Sequence, residues 1–303
     1  MNKNKKTGYL LAIVGGLFWS ISGVCGQFLF QQKGWTPEGL VPVRLLLAGT
    51  GLTLWSLIGR GKETFDVLKN RKSFFSLLVF AIFGLAMCQY TYFKAISLSN
   101  AAITTAIQYC SPAVITLYLL IFKGKKPTFA EGISAVLAIA GVYILSTHLS
   151  PSALAISSEA LVFALLSMVA VAIYTLQPAK LLSTYGTVPV TGLGMFFGGV
   201  LMCIISPPLS GIGKIDLSSL GAFVCIVFLG SILSFTFFLE GVRRLGPATG
   251  NILSSTEPIG SAILCLLLMG TQFVIWDYIG IVLIISTVFV LYFGDKSSSK
   301  RES

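Results

Sequence analysis

Ten stretches of about twenty predominantly apolar residues, joined by short connections that hold most of the charge, constrain this chain more than anything else in it. They lie near 8–30, 37–59, 73–93, 100–122, 129–148, 159–181, 188–207, 218–238, 247–269 and 273–293. A helix needs about 20 such residues to cross a hydrocarbon core roughly 30 Å thick. Membrane barrels are built from alternating segments of about ten residues, so runs of this length argue against strands. Backbone polar groups in lipid must be paired within the segment, which leaves helices. Composition agrees. Hydrophobic residues make up 55% of the chain and Asp, Glu, Lys and Arg only 11%, against roughly 25% charged in a soluble domain. The first stretch is longer than the apolar core of a secretory signal and no A-x-A site follows it, so it reads as a span.

Lysine and arginine set the expected orientation. With the N-terminus in the cytoplasm, 17 of these residues fall in inside segments and three, Lys33, Lys94 and Lys214, fall outside; Arg44 lies within a span. That split predicts an even number of spans in the cytoplasmic membrane, with both termini cytoplasmic. It also accounts for the net charge of +10 through contact with anionic headgroups, with no nucleic-acid partner expected. The six cysteines all fall inside spans without metal-site spacing and read as small packing residues. No cofactor, metal or catalytic group is expected.

Sliding the chain by 146 residues places Ala102 on Ala248, Pro112 on Pro258, Gly124 on Gly270, Glu131 on Asp277 and Lys94 on Glu240, with no gap from Tyr92 to Leu145. A repeat of five helices, an odd number, makes the second copy enter the membrane upside down, an arrangement frequent in secondary transporters. The reading is an all-α polytopic protein of ten transmembrane helices in two inverted repeats. Residues 1–148 form the first repeat, 149–155 an external linker, 156–294 the second repeat and 295–303 a disordered cytoplasmic tail.

Several short motifs carry a resemblance. They are Phe18, Trp19 and Ser20 in span one; Arg44 through Gly49 in span two; Tyr92 through Ala101; Ser111 and Pro112 in span four; Leu245 through Ala248; and Glu257 with Pro258 in span nine. In order and spacing the chain resembles the drug/metabolite transporter superfamily, specifically its EamA-type ten-helix exporters. The likeness covers about residues 8–293. It implies export or exchange of a small metabolite, such as an amino acid, an amine or a drug, through a central cavity with alternating access, and it leaves the solute open.

Glu257 stands out on physical grounds. It lies about ten residues into its span, roughly 15 Å deep at the helical rise. A carboxylate there costs on the order of 2.5–3.5 kcal/mol, so such groups face the bundle interior or a wet cavity. Burial favours its protonated form and suits a proton carrier; a nearby cation favours the ionised form. Arg44, the other deep charge, either pairs with Glu257 or lies in the cavity and binds a substrate carboxylate. Pro112 and Pro258 are equivalent mid-span interruptions, which point to a midplane binding site or to simple packing kinks. Gln108, Tyr109, Asn251, Ser254 and Ser255 lie beside them. Trp19, Ser20, Gln89, Tyr90 and Tyr174, with Gln27 and Gln177, are polar or aromatic at mid-depth and could line the cavity; packing is the plain alternative for each. Trp35, Trp55 and Trp276 read as interfacial anchors and His148 as an interface residue. Gly194 and Gly198 suggest close helix packing.

Expected partners are a small-molecule substrate and the lipid bilayer, for a monomer or homodimer. Facilitated uniport or import of the same solutes is the alternative to export. An intramembrane enzyme is disfavoured, because H-E-x-x-H, G-x-S-x-G and a second histidine are all missing.

Overall fold

The structure, a computed structural model, describes residues 3–124, 126–150, 154–207, 210–245 and 253–299. The main helices are α1 (Lys3–Lys33), α2 (Pro37–Arg60), α3 (Arg71–Leu98), α4 (Ala101–Lys123), α5 (Phe129–Thr147), α6 (Ser158–Leu176), α7 (Thr187–Ile205), α8 (Leu217–Val242), α9 (Thr256–Met269) and α10 (Ile275–Ser299). Among the described residues, nine of these are long and apolar enough to cross a bilayer. The tenth, α9, shows 14 residues, and the start expected for it at 247 lies outside the described residues. Ile58, Phe122, Ile139, Ile204 and Leu267 project outward, exposed. Such an apolar belt would be an aggregation liability in water and is the surface a bilayer requires. The chain is therefore an all-helical, multi-pass membrane protein.

Two boundaries differ from expectation. Span six ends at Leu176 rather than 181, because Pro178 has no N–H to donate back to the Tyr174 carbonyl; a short helix, Ala179–Tyr185, then begins. Arg60 Nη1 holds that helix by donating to the Tyr185 carbonyl at 2.6 Å. The expected disordered tail from 295 is also displaced. α10 continues to Ser299, since Asp, Lys and Ser after Gly294 include no proline or glycine to stop it. In the expected linker, residues 151–153 lie outside the described residues.

The two halves share local detail at the same 146-residue offset. Gly124 and Gly270 each end a helix in the left-handed region, at φ 63°, where glycine meets no Cβ penalty. Their N–H groups donate to Leu119 and Cys265, which are equivalent. Thr128 N donates to Glu131 at 2.6 Å, and Val274 N donates to Asp277 at 2.9 Å, so the same acid caps the next helix in each half. α3 carries a π-helical segment at Phe80–Ala86 and α8 one at Cys225–Leu233; Gly84 and Gly230 occupy equivalent positions in them.

Equivalent helices run in opposite directions where they touch. Gly49 of α2 packs on Phe196 of α7, while Gly192 meets Thr53 and Gly199 meets Leu46, so rising numbers on one helix meet falling numbers on the other. α5 and α10 do the same: Gly141 meets Ile284, Gly280 meets Leu145, and Ser134 Oγ donates to the Thr287 carbonyl at 3.1 Å. Small residues let the backbones approach closely where lipid supplies no hydrophobic drive. Gly194 and Gly198 use the same device against Leu85 and Ala81 of α3.

Prolines sit where a missing donor is tolerated. α4 breaks at Tyr109 and Cys110 and restarts at Ser111, so Pro112 falls in a first turn, whose N–H groups have no helical partner in any case. α9 restarts at Thr256 with Pro258 in its first turn, after Ser255 at φ −63°, ψ −3°. Inside α2, Pro42 leaves the Glu38 carbonyl without its helical donor, and Ser206 Oγ supplies one at 3.2 Å.

Candidate functional site

A cavity of about 360 Å³ lies inside the bundle. Its deep wall is Arg44, Cys88, Gln89, Tyr92, Trp19 and Glu257, and its flank is Gln108, Tyr109, Pro112, Tyr174 and Ser254. It continues past Thr116 and Leu291 to Glu131 and Tyr292, at the end of the bundle where α5 begins. Trp19 is fixed in that wall by Phe235 and Phe238 of α8, with ring centroids 5.2 Å away in both cases.

Glu257 is buried in the first turn of α9, where the helix dipole favours a negative charge. The break of α4 aims Tyr109 at it: the Tyr109 hydroxyl lies 3.0 Å from Glu257 Oε2 and 2.8 Å from the Ser254 carbonyl, within reach of both acceptors. Ser20 Oγ donates to the backbone carbonyl of Glu257 at 2.9 Å and fixes α1 against α9. Among the described residues no cation pairs with this carboxylate.

Arg44 reaches α3 and α8 from α2. Its Nη1 donates to Gln89 Oε1 at 2.7 Å, its Nε to Ser231 Oγ at 2.9 Å and its Nη2 to the Gly230 carbonyl at 3.3 Å. The last two acceptors belong to the π-helical segment of α8, where the helical ladder is irregular and carbonyls are open to outside donors. The Phe93 ring lies 4.8 Å from the guanidinium carbon. The guanidinium is thus held by neutral partners, and no Arg44–Glu257 ion pair forms among the described residues. Of the two arrangements open from sequence, the direct pair is not found.

The opposite end of the bundle is strapped shut. Lys94 of α3 pairs with Glu38 of α2 at 3.0 Å, and Tyr90 donates to the same carboxylate oxygen at 2.9 Å. Lys33 pairs with Asp216 at 2.7 Å, with Lys214 at 3.8 Å. The Lys33 ammonium, with the Ser219 N–H and the Ser218 hydroxyl, holds the Asp216 carboxyl well below the usual carboxylate range. Trp35 Nε1 donates to the Lys214 carbonyl at 3.1 Å and Lys214 N to the Lys33 carbonyl at 2.8 Å. None of these residues lines the cavity. The three lysines expected outside thus each face a carboxylate.

The structure brings Trp19, Arg44, Gln89, Gln108, Tyr109, Pro112, Tyr174, Ser254 and Glu257 to one cavity. Ser20, Tyr90 and Pro258 are not among its lining residues. Ser20 is fully buried against α9, and Tyr90 turns away to Glu38, edge-on to Phe163 at 6.2 Å. Each is one step along its helix from a lining residue, and neighbouring helical positions point about 100° apart. Asn251 lies outside the described residues. Gln27 donates to Gln31 and accepts from Ala101 N at 2.9 Å, and Gln177 donates to Ser76, so both join helices instead. Trp35 is buried rather than interfacial. His148 Nε2 lies 2.8 Å from Asp277 Oδ1, a tie between α5 and α10. The unforeseen wall residues include Tyr92, Cys88, Phe235, Phe238 and Tyr292, whose apolar or aromatic character matches any packing residue and gives no signal in sequence.

The profile of the EamA-like transporter family matches this chain twice, over residues 6–147 and 158–293. An uncharacterized inner membrane transporter of Salmonella typhimurium, YicL, is 35% identical over 94% of this chain and 95% of its own length. An uncharacterized transporter of Clostridium kluyveri is 21% identical over 97% and 96% of the two chains. A solved crystal structure superposes with a TM-score of 0.65 at 17% identity, covering 94% of this chain and 96% of the other, and at that identity carries the fold alone. The family match spans nearly the whole chain in two copies and agrees with the ten-helix bundle, and on these grounds the chain belongs to the EamA-like transporter family and is a membrane transporter.

Proposed function

We propose that the protein exports a small organic solute from the cytoplasm by alternating access, with proton coupling through Glu257 and both termini in the cytoplasm. The observation that carries this reading is the course of the cavity. It runs from Glu257, deep in the bundle, to Glu131 and Tyr292 at the end where the lysine- and arginine-rich connections lie, while ion pairs strap the other end. With the basic end in the cytoplasm, this is an inward-open state, ready to load from inside. The antiparallel pairing of equivalent helices supports an outward-open state of similar energy, reached by exchanging the roles of the halves.

A carboxylate deep in such a cavity takes up a proton from one side and releases it on the other as access alternates. The test is transport in proteoliposomes with a panel of radiolabelled amino acids and amines, with and without an imposed pH gradient. At least one solute moves in the wild type, and the gradient accelerates it. In Glu257→Gln that acceleration is lost. Equal response of both proteins to the gradient contradicts coupling through Glu257, and no movement of any solute contradicts the reading as a whole.

A further inference from the structure

Resting on the reading of this cavity as the transport site, we propose that its ligand is an organic cation: an ammonium group on a small apolar or aromatic body, its nitrogen seated against the Glu257 carboxylate.

The argument starts from which charges in the cavity a ligand can address. Arg44 is 3% exposed; its Nε and both terminal nitrogens already donate to Ser231, Gln89 and Gly230, and Phe93 covers it. It is a brace between α2, α3 and the π-helical segment of α8. Glu257 differs. Oε2 accepts from Tyr109, and among the described residues Oε1 has no hydrogen-bond partner and no cation stands near enough to pair. A carboxylate in a low-dielectric wall is costly unless a positive group reaches it, and a ligand ammonium supplies one.

The rest of the wall suits the same ligand. Tyr109, Tyr174, Trp19, Phe235 and Phe238 share the cavity with Glu257. Aromatic faces attract a desolvated ammonium when it lies within about 6 Å of a ring centroid, and they receive its apolar body. The second carboxylate of the wall, Glu131, stands towards the mouth, so both acidic groups of the lining lie where a cation can meet them. Arg44, in the same deep wall, repels an ammonium and confines it to the Glu257 side of that wall. An anion would have to pass Glu131 and then compete with neutral acceptors for a covered guanidinium.

Calorimetry on the purified full-length protein in nanodiscs tests this with three probes of one skeleton: phenethylamine, phenylalanine and 3-phenylpropionate. Phenethylamine binds, the anion does not, and the zwitterion binds at least tenfold more weakly than the amine. Glu257→Gln weakens the amine at least tenfold. Because that variant could fail to fold, a second measurement uses the wild type: modification of Glu257 by a hydrophobic carbodiimide, read by mass spectrometry, is slowed by phenethylamine and not by 3-phenylpropionate. Preference for the anion or the zwitterion, or carbodiimide modification indifferent to the amine, overturns the assignment. Transport of a solute that amines do not compete with sinks the cation assignment and leaves the transporter reading intact. Amine binding that requires Glu257, without any transport, does the reverse.

Discussion

Tyr109 and Glu257 meet across the centre of the molecule, hydroxyl to carboxylate at 3.0 Å, each brought there by the interruption of its own helix. Tyr109 belongs to the first half and Glu257 to the second, so this contact joins the halves at the level of the cavity. Replacing Tyr109 by Phe keeps the ring and removes the donor. A hydrogen bond to a charged group contributes about 1.5–3 kcal/mol, and the expected stability loss is at the lower end of that range because the Ser254 carbonyl shares the donor. Transport falls more than stability does, since Glu257 loses the group that orients it. Thermal unfolding beside proteoliposome flux checks the pair of effects.

Arg44 gives a prediction of the opposite kind. Lysine keeps the charge but cannot reproduce a planar fork that meets Gln89, Ser231 and Gly230 at once. Arg44→Lys is expected to destabilise the protein by at least about 1.5 kcal/mol, leaving buried acceptors without donors. Amine affinity, set by Glu257, changes less than threefold in the folded fraction. Unfolding curves and calorimetry on the same sample separate the two.

At the strapped end, Asp216 supplies a pH dependence. Its carboxyl is held well below the usual range by Lys33, so its folded form binds a proton less readily than its unfolded form. The stabilisation is therefore fully present above the ordinary aspartate value of about 3.9 and is lost progressively as pH falls towards the lower folded value. Asp216→Asn lowers the melting temperature at pH 7, and the difference from wild type narrows as the buffer is taken from pH 5 to pH 3. A difference that stays constant over that interval contradicts the ion pair's role.

The spans were legible because insertion in lipid demands a continuous apolar run, and the breaks because Pro112 and Pro258 recur at one offset. What hydropathy cannot give is the direction a residue faces. A helix that is apolar all round has no polar face to mark its inner side. Depth therefore selected Trp19 and Ser20 alike, and Gln89 and Tyr90 alike, although only Trp19 and Gln89 reach the cavity. The partners of Arg44 were hidden for a related reason: they depend on which helices touch and on a π-helical segment in α8, whose one trace in sequence is the match of Gly84 with Gly230.

The most direct test of a single cavity open to one side at a time uses Cys88, which lines it. With Cys88 as the sole cysteine, a membrane-impermeant maleimide is applied to inside-out and to right-side-out vesicles, in otherwise wild-type protein and in Lys94→Ala, which removes the pair with Glu38. Labelling at least tenfold faster from the cytoplasmic face, with reactivity from the outer face rising in Lys94→Ala, is the expected result. Equal labelling from both faces, or labelling confined to the outer face of the unaltered strap, would contradict it.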